Sequence, residues 1–342
     1  MNYWKMNILK PYLVIPKLIS QPTWGGDMIV KMKSWDTDLS LGNLKIGQSY
    51  ELFSGSKLST SSTDSSSPEF RPEVGNADSD EIEAQFALQP NTYTSLDDLI
   101  SADPVGVLGK TVYEKHGIMP LLNKINHATG NSFQLHIPSG TPHDRWKAKP
   151  ESWYYFEDGL VTFGIKKGID VEDYKQCCLD VEAKMKELSQ LCMTGVLEIG
   201  SAREQARDYI IQHHPKQFVN EHVIEKDTLL DLSGGGIHHS WEEDTTRFPI
   251  GNFLYEVQYD VMDPVSTIRA FDQGKIKGDG SIREIHVTDY FRFLDRSDET
   301  NDISNALRKP NGGTRLKNDF YGMDIFEGLA AVTEVLTGAF AH

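Results

Sequence analysis

Between Asn131 and Glu157 the chain reads NSFQLHIPSGTPHDRWKAKPESWYYFE, and four of its side chains, Gln134, His136, His143 and Glu151, are of types that bind a divalent cation. A hard or borderline cation such as zinc takes about four nitrogen and oxygen donors and keeps a position open when it is catalytic. Alternate residues of an extended strand share a face, so Gln134 and His136 point the same way. A further donor is offered by LSGGGIHHSWEE, where Gly235, three residues before His238, permits the tight turn that carries a histidine onto the next strand. The ordinary reading stays open beside this one. Histidines are commonly plain polar or core residues, His143 sits in a Pro-x-Gly-x-x-His pattern of its own, and His213 and His214 close a polar helix where they would offset its dipole.

The elements that must hold these residues are mostly short and β-rich. MIVKMK, GQSYELF, SFQLHI, LVTFGIKK, TLLDL, NFLYEVQY, STIRAF and REIHV are rich in β-branched and aromatic residues and are separated by glycine and turn residues. Many short strands without regularly alternating helices predict a β-barrel or sandwich. Two helices interrupt them within residues 170–215. DVEDYKQCCLDVEAKMKELSQLC repeats apolar side chains near helical spacing, and SAREQARDYIIQHH opens on a Ser201 to Glu204 capping box. A shorter helix is expected from Ser95, and another in the final DIFEGLAAVTEVLTGAFAH. Phe53 to Glu81 is rich in Ser, Asp and Pro and reads as a flexible insertion, because such a stretch buries too little apolar surface to offset its ordering entropy.

The chain has 342 residues, 39% of them hydrophobic, enough for a sizeable core. Its net charge of −16 excludes a nucleic-acid surface, which needs concentrated Lys and Arg; an anionic small molecule in a local basic pocket remains compatible. Three cysteines without CxxC spacing fit neither a disulfide framework nor a thiolate metal site, and point to a reducing, cytoplasmic setting. MNYWKMNILKPYLVIPKL lacks the pattern of a signal peptide, and no uncharged stretch reaches membrane-spanning length.

Several blocks, PTWGGDMI, IGQSYELF, MPLLNKINHATGNSFQLH, KPESWYYFE, TFGIKKGIDVEDY, LSGGGIHHS, GNFLYEVQY, STIRAFD and REIHVTD, fall in one order. In that order the chain resembles the type I mannose-6-phosphate isomerases, metal-dependent cupins, over most of residues 20 to 295. The resemblance implies a mainly β jelly-roll cupin with inserted helices, over 1–300, followed by a truncated or divergent second cupin with a C-terminal helix over 301–342. It implies one Zn²⁺ per chain held by Gln134, His136, Glu151 and His238, and leaves His143 without a counterpart.

It further implies Arg269, Lys149 and Glu256 as catalytic residues and Ser132 with Lys124 as phosphate contacts, in an aldose-ketose isomerase that interconverts mannose 6-phosphate and fructose 6-phosphate. Which of Lys149 and Glu256 carries the proton is left open. The chain departs from the family's pattern at HIPSGTPHD, where His-Pro-Asp-Asp is usual, and at Ser233, where proline is usual. An isomerase for another sugar phosphate and a non-catalytic sugar-phosphate-binding cupin are therefore the alternatives. The expected partner is a small sugar phosphate, with no nucleic acid and no membrane, on a monomer or homodimer.

Overall fold

The computed structural model describes residues 12–21, 24–35, 41, 44–60, 70–76, 79–89, 91–128, 132–240, 246–272, 274–308 and 315–325. Its larger sheet runs in the spatial order β17 (Leu307–Arg308), β13 (Leu229–Asp231), β10 (Glu151–Tyr155), β15 (Asn252–Tyr259), β8 (Leu121–Ala128), β3 (Ile46–Leu52), β2 (Lys17–Ser20), β5 (Glu73–Asn76), β6 (Ser79–Ile82). Facing it is a five-stranded sheet in the order β12 (Val219–Ile224), β11 (Gly159–Ile165), β14 (Gly236–Ser240), β9 (Phe133–His136), β16 (Ile268–Phe271). A small sheet joins β1 (Val14–Ile15), β4 (Lys57–Ser59) and β7 (Tyr93–Ser95), and β18 (Arg315–Lys317) pairs with β19 (Gly322–Asp324). The architecture is mainly β and cupin-like, with the helices outside the two facing sheets.

Period-two alternation sorts the side chains of these strands. On β9, Phe133 and Leu135 turn outward into the largest apolar cluster, where the Val171–Met193 helix lays down Tyr174, Cys178, Val181, Met185 and Leu188. That helix starts where the Asp170 carboxylate accepts the backbone N–H groups of Glu172 and Asp173. Gln134 and His136, the alternate residues, are left facing inward. On the large sheet, Trp153, Tyr155 and Leu254 join Val161 and Phe163 of β11 to close one end between the sheets. The other end is lined by polar side chains.

Several expectations are corrected. MIVKMK is a helix, Met28–Met32, whose Ile29 and Val30 pack on the outer face of the large sheet with Leu18 and Ile46; a short apolar run does not reveal its period. REIHV forms no strand, and the Val287–Phe293 helix starts at its end. The Ile199–His213 helix begins two residues before Ser201, with Glu198 at its N-cap and no side-chain cap bond, so no capping box forms. The stretch at 54–81 is not simply a flexible insertion: β4 sits between β1 and β7, β5 runs parallel to β2, Val74 and Phe70 are buried, and Lys57 forms an ion pair with Glu73. After residue 300 the described residues form a short 3-10 turn, Ile303–Asn305, add β17 to the large sheet and make the β18–β19 pair, with no second barrel among them. The helix expected over 324–342 lies outside the described residues from 326 on, and Asp324 ends strand β19.

Candidate metal centre and its cavity

Three strands of the smaller sheet put a row of polar side chains in register, since His238 of β14 and Arg269 of β16 both pair with Gln134 of β9. His136 lies one alternate position further along. Glu151 reaches the same point from β10 of the opposite sheet, and His136, Glu151 and His238 form the one group of potential metal-binding side chains found among the described residues. All three are almost fully buried, each at 1% exposure or less.

Hydrogen bonding fixes what this group presents. His136 Nδ1 lies 2.7 Å from the Ser266 carbonyl oxygen, and a carbonyl only accepts, so Nδ1 carries the proton and Nε2 a lone pair. That lone pair faces Glu151 Oε2 at 3.4 Å. His238 repeats the arrangement, with Nδ1 3.2 Å from the Gly236 carbonyl and Nε2 2.9 Å from Glu151 Oε1. Burial, with the charge of Lys149, presses the His136 imidazole down to about 4, which keeps it neutral. Burial opposes ionisation of Glu151, but the Lys149 ammonium beside it outweighs this and holds the carboxyl well below its ordinary range. Acceptors therefore converge on acceptors, and neither Glu151 oxygen nor His136 Nε2 has a well-oriented hydrogen bond. A cation is the species that satisfies all three at once. Gln134 stands beside them, its Nε2 3.1 Å from His238 Nε2 and its Oε1 accepting from Ser132 Oγ. Turning the amide over would give its oxygen to the same centre.

The centre opens on a cavity of about 740 Å³ whose walls include Gln134, Lys149, Glu151, Glu256, Lys124 and Arg269. Lys149 Nζ lies 3.0 Å from Glu151 Oε2 and 3.8 Å from Asp263. Its burial opposes the charge, yet Glu151, Asp263 and Glu256 raise the ammonium's pKa above the lysine range. Burial raises the Glu256 carboxyl. Glu256 is held in place by the Asn126 amide, which itself accepts from Gln48, and by Lys124 Nζ at 3.3 Å. Arg269 Nη2 donates to Asp263 at 3.1 Å and its Nε to Ser132 Oγ at 3.1 Å.

Of the residues expected at the site, Gln134, Lys149, Glu151, Lys124, Glu256 and Arg269 line the cavity and His136 and His238 stand at the centre, but Ser132 and Lys124 have other work. Ser132 is fully buried and links Gln134 to Arg269, while Lys124 Nζ is taken by Gln258 at 2.8 Å and by Glu256. Their bonds go to protein groups that a phosphate would have to displace. His143 lies away from the centre, its Nδ1 accepting from the backbone N–H of Arg145 and Trp146, and His239 turns outward to stack on Phe133. Asp263, Asn126, Gln258 and Tyr50 also line the cavity and escaped the sequence reading. Asp263 sits in a Pro-containing helical turn, a signal for a turn but not for a carboxylate between Lys149 and Arg269.

A cupin-like sandwich with a buried histidine and carboxylate centre is the class that the fold and site define. No protein-family model matches the chain, and no curated protein matches it in sequence. Among solved structures it has the fold of mannose 6-phosphate isomerases. A zinc-bound one superposes with a TM-score of 0.51 at 11% identity, over 90% of this chain and 78% of that one. A point mutant of phosphomannose isomerase from Salmonella typhimurium gives 0.50 at 12% identity, over the same shares of the two chains, 90% and 78%.

Proposed function

We propose that this chain is a metal-dependent aldose-ketose isomerase that interconverts mannose 6-phosphate and fructose 6-phosphate, with Zn²⁺ held by His136, Glu151, His238 and Gln134. The observation that carries the reading is the convergence of buried lone pairs from His136, His238 and Glu151 at the wall of a cavity that also holds Lys149, Glu256 and Arg269. Two imidazoles, a carboxylate and an amide oxygen suit zinc. The fold supports the same reading.

The reaction moves a proton between C1 and C2 of the sugar through an enediolate. A bound divalent cation supplies positive charge beside the oxygens where negative charge gathers. Lys149, held as an ammonium by Glu151, Asp263 and Glu256, can donate a proton or stabilise charge but has no lone pair with which to accept one. Glu256, its carboxyl raised by burial and its position set by Asn126 and Lys124, is the group suited to take the carbon-bound proton near neutral pH. Arg269 adds a fixed charge for the transition state. The phosphate belongs at the cationic side of the cavity, lined by Lys275, Lys277 and Arg283.

The test is incubation of the metal-loaded protein in D₂O with mannose 6-phosphate and a panel of other sugar phosphates, following loss of the C2 hydrogen by NMR. Exchange with mannose 6-phosphate is the expected result. Exchange with a different member alone would move the substrate within the same chemistry, and no exchange with any would leave a sugar-phosphate-binding cupin in its place.

A further inference from the structure

The segment from Pro138 to Lys149 leaves the metal strand, runs outside the five-stranded sheet and returns with Lys149. It is fastened to neighbouring segments at several points. His143 Nδ1 accepts the N–H groups of Arg145 at 3.2 Å and Trp146 at 3.0 Å and so shapes the turn. Trp146, almost fully buried, donates its indole N–H to Asp289 at 2.8 Å, and Arg145 forms a two-pronged pair with Glu284 at 3.2 and 2.7 Å. Lys147 N–H donates to the Val265 carbonyl at 2.7 Å, in the turn that carries Asp263.

These ties meet at His286. Its ring lies edge-on to Trp146, and its Nε2 is 3.2 Å from Arg145 Nη2 and 3.3 Å from Glu284 Oε2. On its other side it grips the backbone of Arg269 twice: His286 N–H donates to the Arg269 carbonyl at 2.8 Å, and Arg269 N–H donates to His286 Nδ1 at 3.3 Å. The geometry points to His286 as a positioning residue, the joint through which the Pro138–Lys149 strap and the backbone of Arg269 hold Lys149 and Arg269 in register on either side of Asp263. Its kinetic consequence rests on the isomerase reading above; the mechanical one does not.

The bond to Arg269 requires an unprotonated Nδ1. A second proton on the ring would turn that acceptor into a donor facing the buried Arg269 N–H, so the joint opens in acid. The charged groups around the ring are Glu284 on its own segment, Arg145 on the strap and Arg269 on β16; burial, with the two arginines, lowers the imidazole's pKa below its ordinary value and outweighs Glu284. The joint is therefore closed at neutral pH.

Zinc-loaded protein and two variants separate this from a packing role. His286→Leu removes the acceptor, whereas His286→Asn keeps an oxygen near the Nδ1 position. Loss of one such hydrogen bond corresponds to a factor of up to about ten. His286→Leu should speed hydrogen exchange at the Arg269 amide by about tenfold and lower kcat comparably with little change in KM, and His286→Asn should restore both. The wild type should lose Arg269 protection as pH falls below the ordinary imidazole range, and His286→Asn should not. Unchanged Arg269 exchange in His286→Leu, or equal acid loss in His286→Asn, would overturn the inference. If His286→Leu does not fold, the pH comparison of wild type with His286→Asn decides it. A wild type that turns over no sugar phosphate would sink the isomerase reading, and the exchange measurements would still decide the joint.

Discussion

His136 aims the lone pair of Nε2 at Glu151 Oε2 across 3.4 Å because its other nitrogen is bound to the Ser266 carbonyl. Two acceptors held face to face at a buried site call for a cation or a proton between them, and burial resists the proton on His136. The purified protein should accordingly carry about one divalent metal ion per chain. His238→Ala and Glu151→Ala should lose it in metal analysis, while His143→Ala and His239→Ala should keep it. Loss with His143→Ala but not with His238→Ala would reverse the assignment of the ligands.

The same relationship sets a pH dependence in protein stripped of metal. The folded His136 titrates near 4, far below the ordinary 6.5, so between those values the unfolded chain binds the extra proton and stability falls with falling pH. The stability at stake is on the order of 3 kcal/mol, fully present above 6.5 and gone below about 4. The melting temperature of the metal-free protein should drop across that window, and His136→Gln should flatten the drop. Equal slopes for the two proteins would show that His136 is not the titrating group.

The mainly β, cupin-like fold class was legible in the sequence, and within the candidate site some placements were legible and others not, for a physical reason. Gln134 and His136 declare themselves through period two on a short strand with two apolar outward neighbours, and Glu151 and His238 each sit on a β-forming stretch. What no local pattern encodes is register between strands far apart in the chain, such as His238 and Arg269 flanking Gln134. Strand β8 was hidden because Asn123, Lys124, Asn126 and His127 leave it with few of the β-branched and aromatic residues that mark the other strands. Composition misled at 54–81, where short strands with few apolar residues gain their stability from pairing with β2 and from Val74.

The pairing of β4 and β5 with the rest of the fold has a measurable consequence. Joining Gly55 directly to Glu81 removes β4, β5, the buried Phe70 and Val74 and the Lys57–Glu73 ion pair. Burying one Val or Phe side chain contributes about 1.5–3 kcal/mol, and a domain has only about 5–15 kcal/mol in hand. Calorimetry should show a melting temperature lowered by many degrees, or no cooperative transition. An unchanged melting temperature would show that these strands add nothing to the fold.

Turnover distinguishes the side chains that share the cavity. Glu256→Gln should cut kcat by about 10²–10⁴-fold with metal content intact, since it removes the proton acceptor while leaving a hydrogen-bonding group of the same shape. The acid limb of wild-type kcat/KM should lie above the ordinary glutamate value, because burial raises this carboxyl and activity appears only as pH rises through its pKa. Lys149→Met and Arg269→Ala should also lower kcat, acting on charge that develops in the transition state. Ser132→Ala provides the contrast. A serine whose only task was to hold the phosphate would, on removal, raise KM and spare kcat. The hydroxyl here joins Gln134 to Arg269, so its loss should loosen a metal donor and the arginine together, lowering kcat and weakening metal retention. Steady-state kinetics with metal analysis on Ser132→Ala therefore decide between the two roles, and a change confined to KM would return Ser132 to the phosphate.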